Sequence, residues 1–325
     1  MDPALIIFGF GIGAMVGMTG MGGGTLMTPL LILLFGVKPV TAIGTDIFYA
    51  AVTKTLGGWR HLKMGTVNLG LSFWLAAGSV PASIAGVWAI SILQSKIGEE
   101  ELDSIVYALL GGTLLMVGII TLARALILSD LIEEREDFEI KRRHKVAAVA
   151  IGIATGFIIG ITSAGSGTVI AILLIAIYRL SPQRVVGTDV FHAAILLWAA
   201  GVAHWVGGNV DFVLAGNILL GSVPGVVVGA HFATRAPTGF LRTALGVVLV
   251  TSGIVTVQKG DPLLWPIAAL VAGIGLMLLI WGPRHYAKRR AREEAAERAK
   301  RKLPPGDPRG RPHDRSSELT PEAIG

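Results

Sequence analysis

Asp46, Lys54 and Asp189 are ionisable, and each lies inside an otherwise apolar stretch. A charge at the centre of a bilayer costs at least a few kcal/mol unless paired or hydrated, so these residues are candidates for ion coupling or charge pairing. His192 follows Asp189 by three residues and shares its helix face, where proton relay and a local hydrogen bond are both open. Each Asp also has a reading as a helix cap: "GTD" follows a Pro at a fixed distance in both places, and Asp accepts bonds from free backbone N–H groups. Lys54 either snorkels towards Arg60 or pairs with Asp46, Asp189 or an anionic substrate. His61 and His204 are expected at helix ends near the interface, with proton handling as the alternative.

A second set of residues could hold a substrate. Thr19, Gly22, Gly24 and Thr25 are repeated as Thr162, Gly165, Gly167 and Thr168, in the middle of two long apolar stretches. Glycine permits a sharp break, threonine supplies hydroxyls, and freed N–H groups at a half-helix N-terminus carry partial positive charge. Two such ends meeting near the midplane would bind a small anion, and Thr45 and Thr188, beside the acids, join the candidate contacts. A dinucleotide reading of "GMGGGT" and "GSGT" fails, because neither follows a soluble strand or is closed by the required acid. Gly9, Gly13 and Gly17 have helix-packing spacing and need no ligand.

What positions these residues is a repeat. "GTDIFYAA" from Gly44 recurs as "GTDVFHAA" from Gly187, and "GSVP" from Gly78 recurs from Gly221, at one offset. The ungapped comparison from Gly17 to Gly86 gives roughly 25 identities in 70 positions. Lys54 has no counterpart, its repeat partner being Leu197.

Composition sets the class. A chain of 325 residues that is 52% hydrophobic and 15% charged is too apolar for a soluble protein and reads as an all-α polytopic membrane protein. With no cysteine, disulfides, thiolate catalysis and Cys-ligated metals are excluded. The few His residues are scattered, so neither a metal site nor catalytic residues are expected, and no cofactor is implied. The start, "MDPALIIFGFGIG", lacks the pattern of a cleaved signal peptide. Basic residues crowd after Pro283, where interleaved Glu favours a solvated cytoplasmic anchor over a nucleic-acid site.

The stretches 4–35 and 146–178 are each about 32 residues, roughly 48 Å as continuous helix against a hydrocarbon core of about 30 Å. Each is therefore expected as a broken or re-entrant helical hairpin. If 146–178 returns to its own side, the loop with Lys141, Arg142, Arg143 and Lys145 falls inside with Arg179 and Arg184, as the positive-inside rule prefers. Each half then crosses three times, which predicts an inverted repeat. The expected organisation is a first repeat over 1–128, a charged cytoplasmic loop over 129–145, a second repeat over 146–257, an extra helix over 263–282 flanked by Trp265 and Trp281, and a basic, disordered cytoplasmic tail over 284–325.

The stretches "GMTGMGGGTLMTPLL" from Gly17, "AIGTD" from Ala42, "GITSAGSGT" from Gly160, "VGTD" from Val186 and the two "GSVP" segments resemble the TauE/SafE sulfite exporter family, also called the TSUP group, over most of residues 4–257. The resemblance implies a multi-pass carrier in a prokaryotic plasma or inner membrane for small sulfur-containing anions such as sulfite, thiosulfate or organosulfonates. Many members carry Ser where this chain has Asp46 and Asp189. An acid beside an anion repels it unless protonated, so coupled proton movement follows as a hypothesis. The expected partners are the small anion and lipid, without nucleic acid, and a homodimer is a candidate assembly. A membrane-embedded scaffold and, less favoured, a membrane enzyme are the competing classes.

Overall fold

A computed structural model describes residues 2–19, 24–126, 142–165, 167–178, 180–233 and 238–273, and among these every regular element is helical. The chain divides into Met1–Gly282 and Pro283–Gly325. The second unit, and with it the tail over 284–325, lies outside the described residues, as do most of the 129–145 loop and the end of the extra helix.

Each long apolar stretch is interrupted as its length requires. The first forms α1 (Pro3–Thr19) and α2 (Gly24–Phe35). The second forms α6 (Arg142–Thr162) and α7 (Thr168–Leu173), continued by a π-helical turn over Leu174–Tyr178. Both double back on themselves. The Tyr178 hydroxyl donates to the His144 carbonyl at 2.8 Å, and the Phe35 ring lies 5.0 Å edge-on from Phe8.

The remaining helices of the halves are α3 (Pro39–Lys63), α4 (Leu69–Lys96) and α5 (Glu99–Leu126), then α8 (Pro182–Val206), α9 (Phe212–Ala233) and α10 (Thr238–Lys259). A short apolar helix, α11 (Pro262–Gly273), follows. Pro39 and Pro182 open α3 and α8, where a missing N–H is harmless. Asn68 caps α4 through the Leu71 N–H at 3.0 Å, and its repeat partner Asp211 caps α9 through Val213 and Leu214 at 2.9 Å. The turns before these caps place Gly65 at φ 68° and Gly208 at φ 73°, a left-handed conformation open to glycine.

Packing exchanges equivalent partners between the halves. Gly9 and Gly13 of α1 lie on the Ile218 and Ser222 backbones of α9; Gly152 and Gly156 of α6 lie in the same way on Leu75 and Ser79 of α4. A Cβ at Gly13 would collide with the Ser222 carbonyl, so these helices meet backbone to backbone through small residues. Helices α3 and α8 cross antiparallel, with Gly57 and Gly58 on Val190 and Phe191 and Gly201 on Phe48. Helices α5 and α10 are antiparallel too, with Gly111 on Val257 and Gly118 on Val250.

Among the described residues, five helices, Leu69–Lys96, Glu99–Ala123, Arg142–Thr162, Gln183–Val206 and Phe212–Gly229, are long and apolar enough to cross a membrane. Helix α3, with 25 residues, matches them in length but carries Asp46, Lys54, Arg60 and Lys63. Outward-facing Trp88, Val213 and Val227 expose apolar surface of the kind lipid covers.

The two ends of the bundle differ in charge. At one, the Lys63 ammonium sits 3.8 Å from the Trp59 ring centre and Lys145 sits 5.2 Å from Trp74, in company with Arg60, Arg142 and Arg143. At the other, Lys38 pairs with Glu99 at 2.7 Å, Lys259 reaches the Ile32 carbonyl at 3.5 Å, and the Asp2 N–H donates to Asn217 at 3.1 Å.

Candidate functional site

Asp46 lies well inside α3 and is fully buried. Its Oδ2 accepts hydrogen bonds from the Thr28 hydroxyl of α2 and the Ser163 hydroxyl between α6 and α7, both at 2.6 Å. One carboxylate thus ties α2 of the first hairpin to the break of the second. Ser163 adopts φ 60°, a left-handed conformation that costs roughly 1–2 kcal/mol for a residue with a Cβ, and Gly165 follows at φ 104°. Strain of this kind persists where the surroundings fix it, and here the bond to Asp46 is part of what does so.

Neither Asp caps its own helix, which corrects that reading. The helices begin at Pro39 and Pro182 with no side-chain cap from Lys38 or Ser181, and both acids lie deeper. Asp189 is 5% exposed; among the described residues its Oδ1 and the Oδ1 of Asp46 both lack a hydrogen-bond partner, but no hydroxyl donates to Asp189 as Thr28 and Ser163 do to Asp46. The difference is written in the repeat: the positions equivalent to Thr28 and Ser163 are Ala171 and Gly20, which have no hydroxyl.

Lys54 is 6% exposed, so it does not snorkel to the Arg60 end. Asp46 and Asp189 are the buried carboxylates of the two helices that cross at it. Lys54 sits where α3 and α8 cross, between the Phe48–Gly201 and Gly58–Phe191 contacts.

Three residues past each acid stands another polar group. His192 Nε2 lies 2.8 Å from the Ser79 hydroxyl of α4, and Tyr49 is buried at the position equivalent to His192. The His192 bond joins α8 to the Ser of the "GSVP" segment on α4 of the other half. His192 is therefore engaged with Ser79 of another helix, a longer-range bond than the local one the sequence suggested. His204 is fully buried, with Nε2 2.9 Å from the Gly160 carbonyl, which corrects its interfacial placement. His61 is half-buried, with Nδ1 3.0 Å from the Thr66 hydroxyl.

The threonines beside the acids work as staples. Thr45 Oγ1 accepts the Asp211 N–H and Thr188 Oγ1 accepts the Asn68 N–H, each at 3.0 Å, so each holds the loop after the other half's equivalent helix. Among the glycine-rich residues, Gly24 opens α2 and Thr25 is buried behind it. Thr162 is buried and donates to Ile158 of its own helix at 2.8 Å, and Gly167 precedes α7. A small cavity lined by Thr155, Ile159, Ala164 and Gly165 lies beside this break. Gly22 and the side chains of Thr19 and Thr168 lie outside the described residues. Sequence reasoning missed Thr28, Ser163 and Tyr49 as participants; the signal available was the position of Ser163 inside a break. Among the described residues no cluster of His, Cys, Asp and Glu could hold a metal ion.

A helical bundle with apolar spans, interrupted helices and buried charges at its central crossing defines the class of polytopic membrane proteins. The chain belongs to the family described as Sulfite exporter TauE/SafE, whose profile matches residues 5–256. It is 35% identical over 254 residues to "Probable membrane transporter protein YjnA" of Bacillus subtilis (strain 168), covering 78% of this chain and 99% of that one. "Probable membrane transporter protein YdhB" of the same organism is 27% identical over 250 residues, 77% of this chain and 98% of the other. "Probable membrane transporter protein MJ0441" of Methanocaldococcus jannaschii is 29% identical over 195 residues, 58% of this chain and 66% of the other. No solved structure matches the chain significantly. Helix α11 and the tail lie beyond the matched region.

Proposed function

We propose that the protein is a secondary carrier for small anions, sulfite and related sulfur oxyanions or organosulfonates, working by alternating access with coupled protons. The observation that carries this reading is the convergence of α2 and the second hairpin's break on Asp46. Interrupted helices meeting at a buried charge are how repeat-built carriers hold a solute and its coupling ion near the midplane. The substrate class rests on the family's description.

The halves form an inverted-topology repeat, with a pseudo-two-fold axis in the bilayer plane passing close to Lys54. The antiparallel courses of α3 with α8 and of α5 with α10 support this. The end carrying Arg60, Lys63 and Lys145 faces the cytoplasm by the positive-inside rule, and the basic tail follows it there. The glycine and threonine residues at the two breaks, Thr19 to Thr25 and Thr162 to Thr168, line the anion's route. Asp46 and Asp189 carry the proton, with Lys54, His192 and Tyr49 as the groups facing them.

The test is uptake by Asp46→Asn and Asp189→Asn variants in proteoliposomes across a range of pH. At least one variant is expected to lose the wild-type pH dependence. If both retain it, proton coupling through these acids is wrong.

A further inference from the structure

We infer that His204 and Asn209 form a subsite for one oxyanion group of the carried solute, and that the anion binds there together with a proton on His204. The subsite deepens the carrier reading and rests on it for the substrate class.

The two side chains are brought together by the way α8 ends. The Asn209 N–H donates to the His204 carbonyl and the Gly208 N–H to the Trp205 carbonyl, each at 2.9 Å, with Gly208 in the left-handed conformation. A helix end closed by this pair of bonds sets the side chain of its last residue against that of the residue five earlier. Helix α3 ends in the same way, through Thr66 on His61 at 3.2 Å and Gly65 on Leu62 at 3.1 Å. There the side chains do meet, with His61 Nδ1 3.0 Å from the Thr66 hydroxyl. His204 and Asn209 are the repeat equivalents of His61 and Thr66, but their pair is left open. His204 Nδ1 and Asn209 Nδ2 are both buried, and among the described residues neither has a hydrogen-bond partner. Polar atoms removed from water are costly unless bonded, so two of them side by side mark a place for a guest.

The guest's chemistry follows from the bond that His204 already makes. Its Nε2 lies 2.9 Å from the Gly160 carbonyl, which only accepts, so Nε2 carries a hydrogen. A neutral ring then presents Nδ1 as an acceptor beside the Asn209 N–H donor. A protonated ring presents two donors and a positive charge, the set that a sulfite, sulfonate or carboxylate group accepts. A buried imidazolium needs an anion beside it, and the anion needs the proton, so the two enter as a pair.

The position suits a carried solute. Gly44 packs on the Asn209 carbonyl, Thr45 beside it accepts the Asp211 N–H, and Gly160 lies three residues before Ser163 at the second break. The titratable and charged groups on the elements packed around the pair are Asp46, Tyr49 and Lys54 on α3 and Asp211 before α9. Helix α2, α4 over 79–95 and the second hairpin over 153–165 carry none, and the nearest on α8 itself is His192, twelve residues earlier.

The experiment pairs uptake of radiolabelled sulfite into proteoliposomes with thermal unfolding of the full-length protein in detergent, with and without sulfite. Asn209→Thr installs the first half's residue, which closes the pair, and is expected to fold as wild type does. His204→Gln keeps a donor for the Gly160 carbonyl and removes Nδ1. At mildly acidic pH each is expected to raise the half-saturating sulfite concentration about tenfold and to lose most of the stabilisation that sulfite gives wild type. Variant and wild type are compared at the same pH, so the solute's own protonation cancels. The wild-type advantage is expected to vanish as pH rises and the imidazolium is lost. An advantage of equal size at every pH overturns the proton's part. Wild-type half-saturation in folded Asn209→Thr and His204→Gln overturns the subsite, leaves the carrier reading standing and means that the gap holds only water. Sulfite that stabilises wild type but not Asn209→Thr, with no uptake into sealed vesicles, sinks the carrier reading and keeps the subsite. Neither stabilisation nor uptake in wild type removes both.

Discussion

Asp46 and Asp189 stand at equivalent positions in α3 and α8, each after a "GT" and each a helix turn before a polar group, Tyr49 and His192. Their backbones, their stapling threonines and their loops match. Their partners do not. Asp46 accepts two hydroxyls and ties α2 to the second break, whereas among the described residues no hydroxyl donates to Asp189. The repeat duplicates a scaffold, and a few departures from it, at Gly20, Ala171 and Lys54, turn two copies of one acid into two chemical roles.

The comparison is broken most easily at Asp46. Asp46→Ala leaves two buried hydroxyls without their acceptor and frees a strained serine, so unfolding in detergent is expected to show a loss on the order of 3 kcal/mol. Asp189→Ala has no hydroxyl partner to strand and should cost measurably less. Equal losses would mean that the asymmetry of partners carries no energy. Thr28→Ala and Ser163→Ala should each cost about 1 kcal/mol, and a double-mutant cycle of either with Asp46→Ala should recover most of that as coupling.

The comparison is sharpened by making the halves alike. Ala171→Thr offers Asp189 the hydroxyl that Thr28 gives Asp46. Uptake is expected to slow severalfold with the fold intact, because a hydroxyl bond favours the ionised carboxylate and makes it slower to take up a proton; an unchanged rate would separate the two acids' partners from transport. Where the halves already agree, the effects should agree: Thr45→Ala and Thr188→Ala are each expected to cost about 1 kcal/mol, within a few tenths of one another.

The smallest effect is expected far from the crossing. Lys38 and Glu99 are both largely exposed, so Glu99→Gln should leave stability and uptake unchanged at neutral pH. Glu99 raises the Lys38 pKa and Lys38 lowers that of Glu99, so whatever the pair contributes is lost as pH rises through the raised lysine value and as it falls through the lowered carboxyl value. A pH titration of unfolding in Glu99→Gln against wild type reads this directly.

Much of this architecture was legible in the sequence, because its signals are periodic or expensive. The offset between the "GTD" copies announced two halves, the length of 4–35 and 146–178 announced interruptions, and the cost of burying charge singled out Asp46, Lys54 and Asp189. What was not legible depended on contacts between segments distant in sequence. Thr28 and Ser163 are ordinary polar residues until folding sets them against Asp46, and no repeat symmetry advertises them, since their equivalents lack hydroxyls. His204 was misplaced for a related reason: a helix end reads as interfacial, but here that end packs on the Gly160 carbonyl, which gives the imidazole a partner away from water.

The central claim is tested most directly by uptake of labelled sulfite into proteoliposomes with and without an imposed pH gradient. The account predicts uptake that rises when the gradient drives protons in the direction of the anion. Sulfite uptake indifferent to the gradient, in sealed vesicles containing folded protein, would contradict proton-coupled carriage.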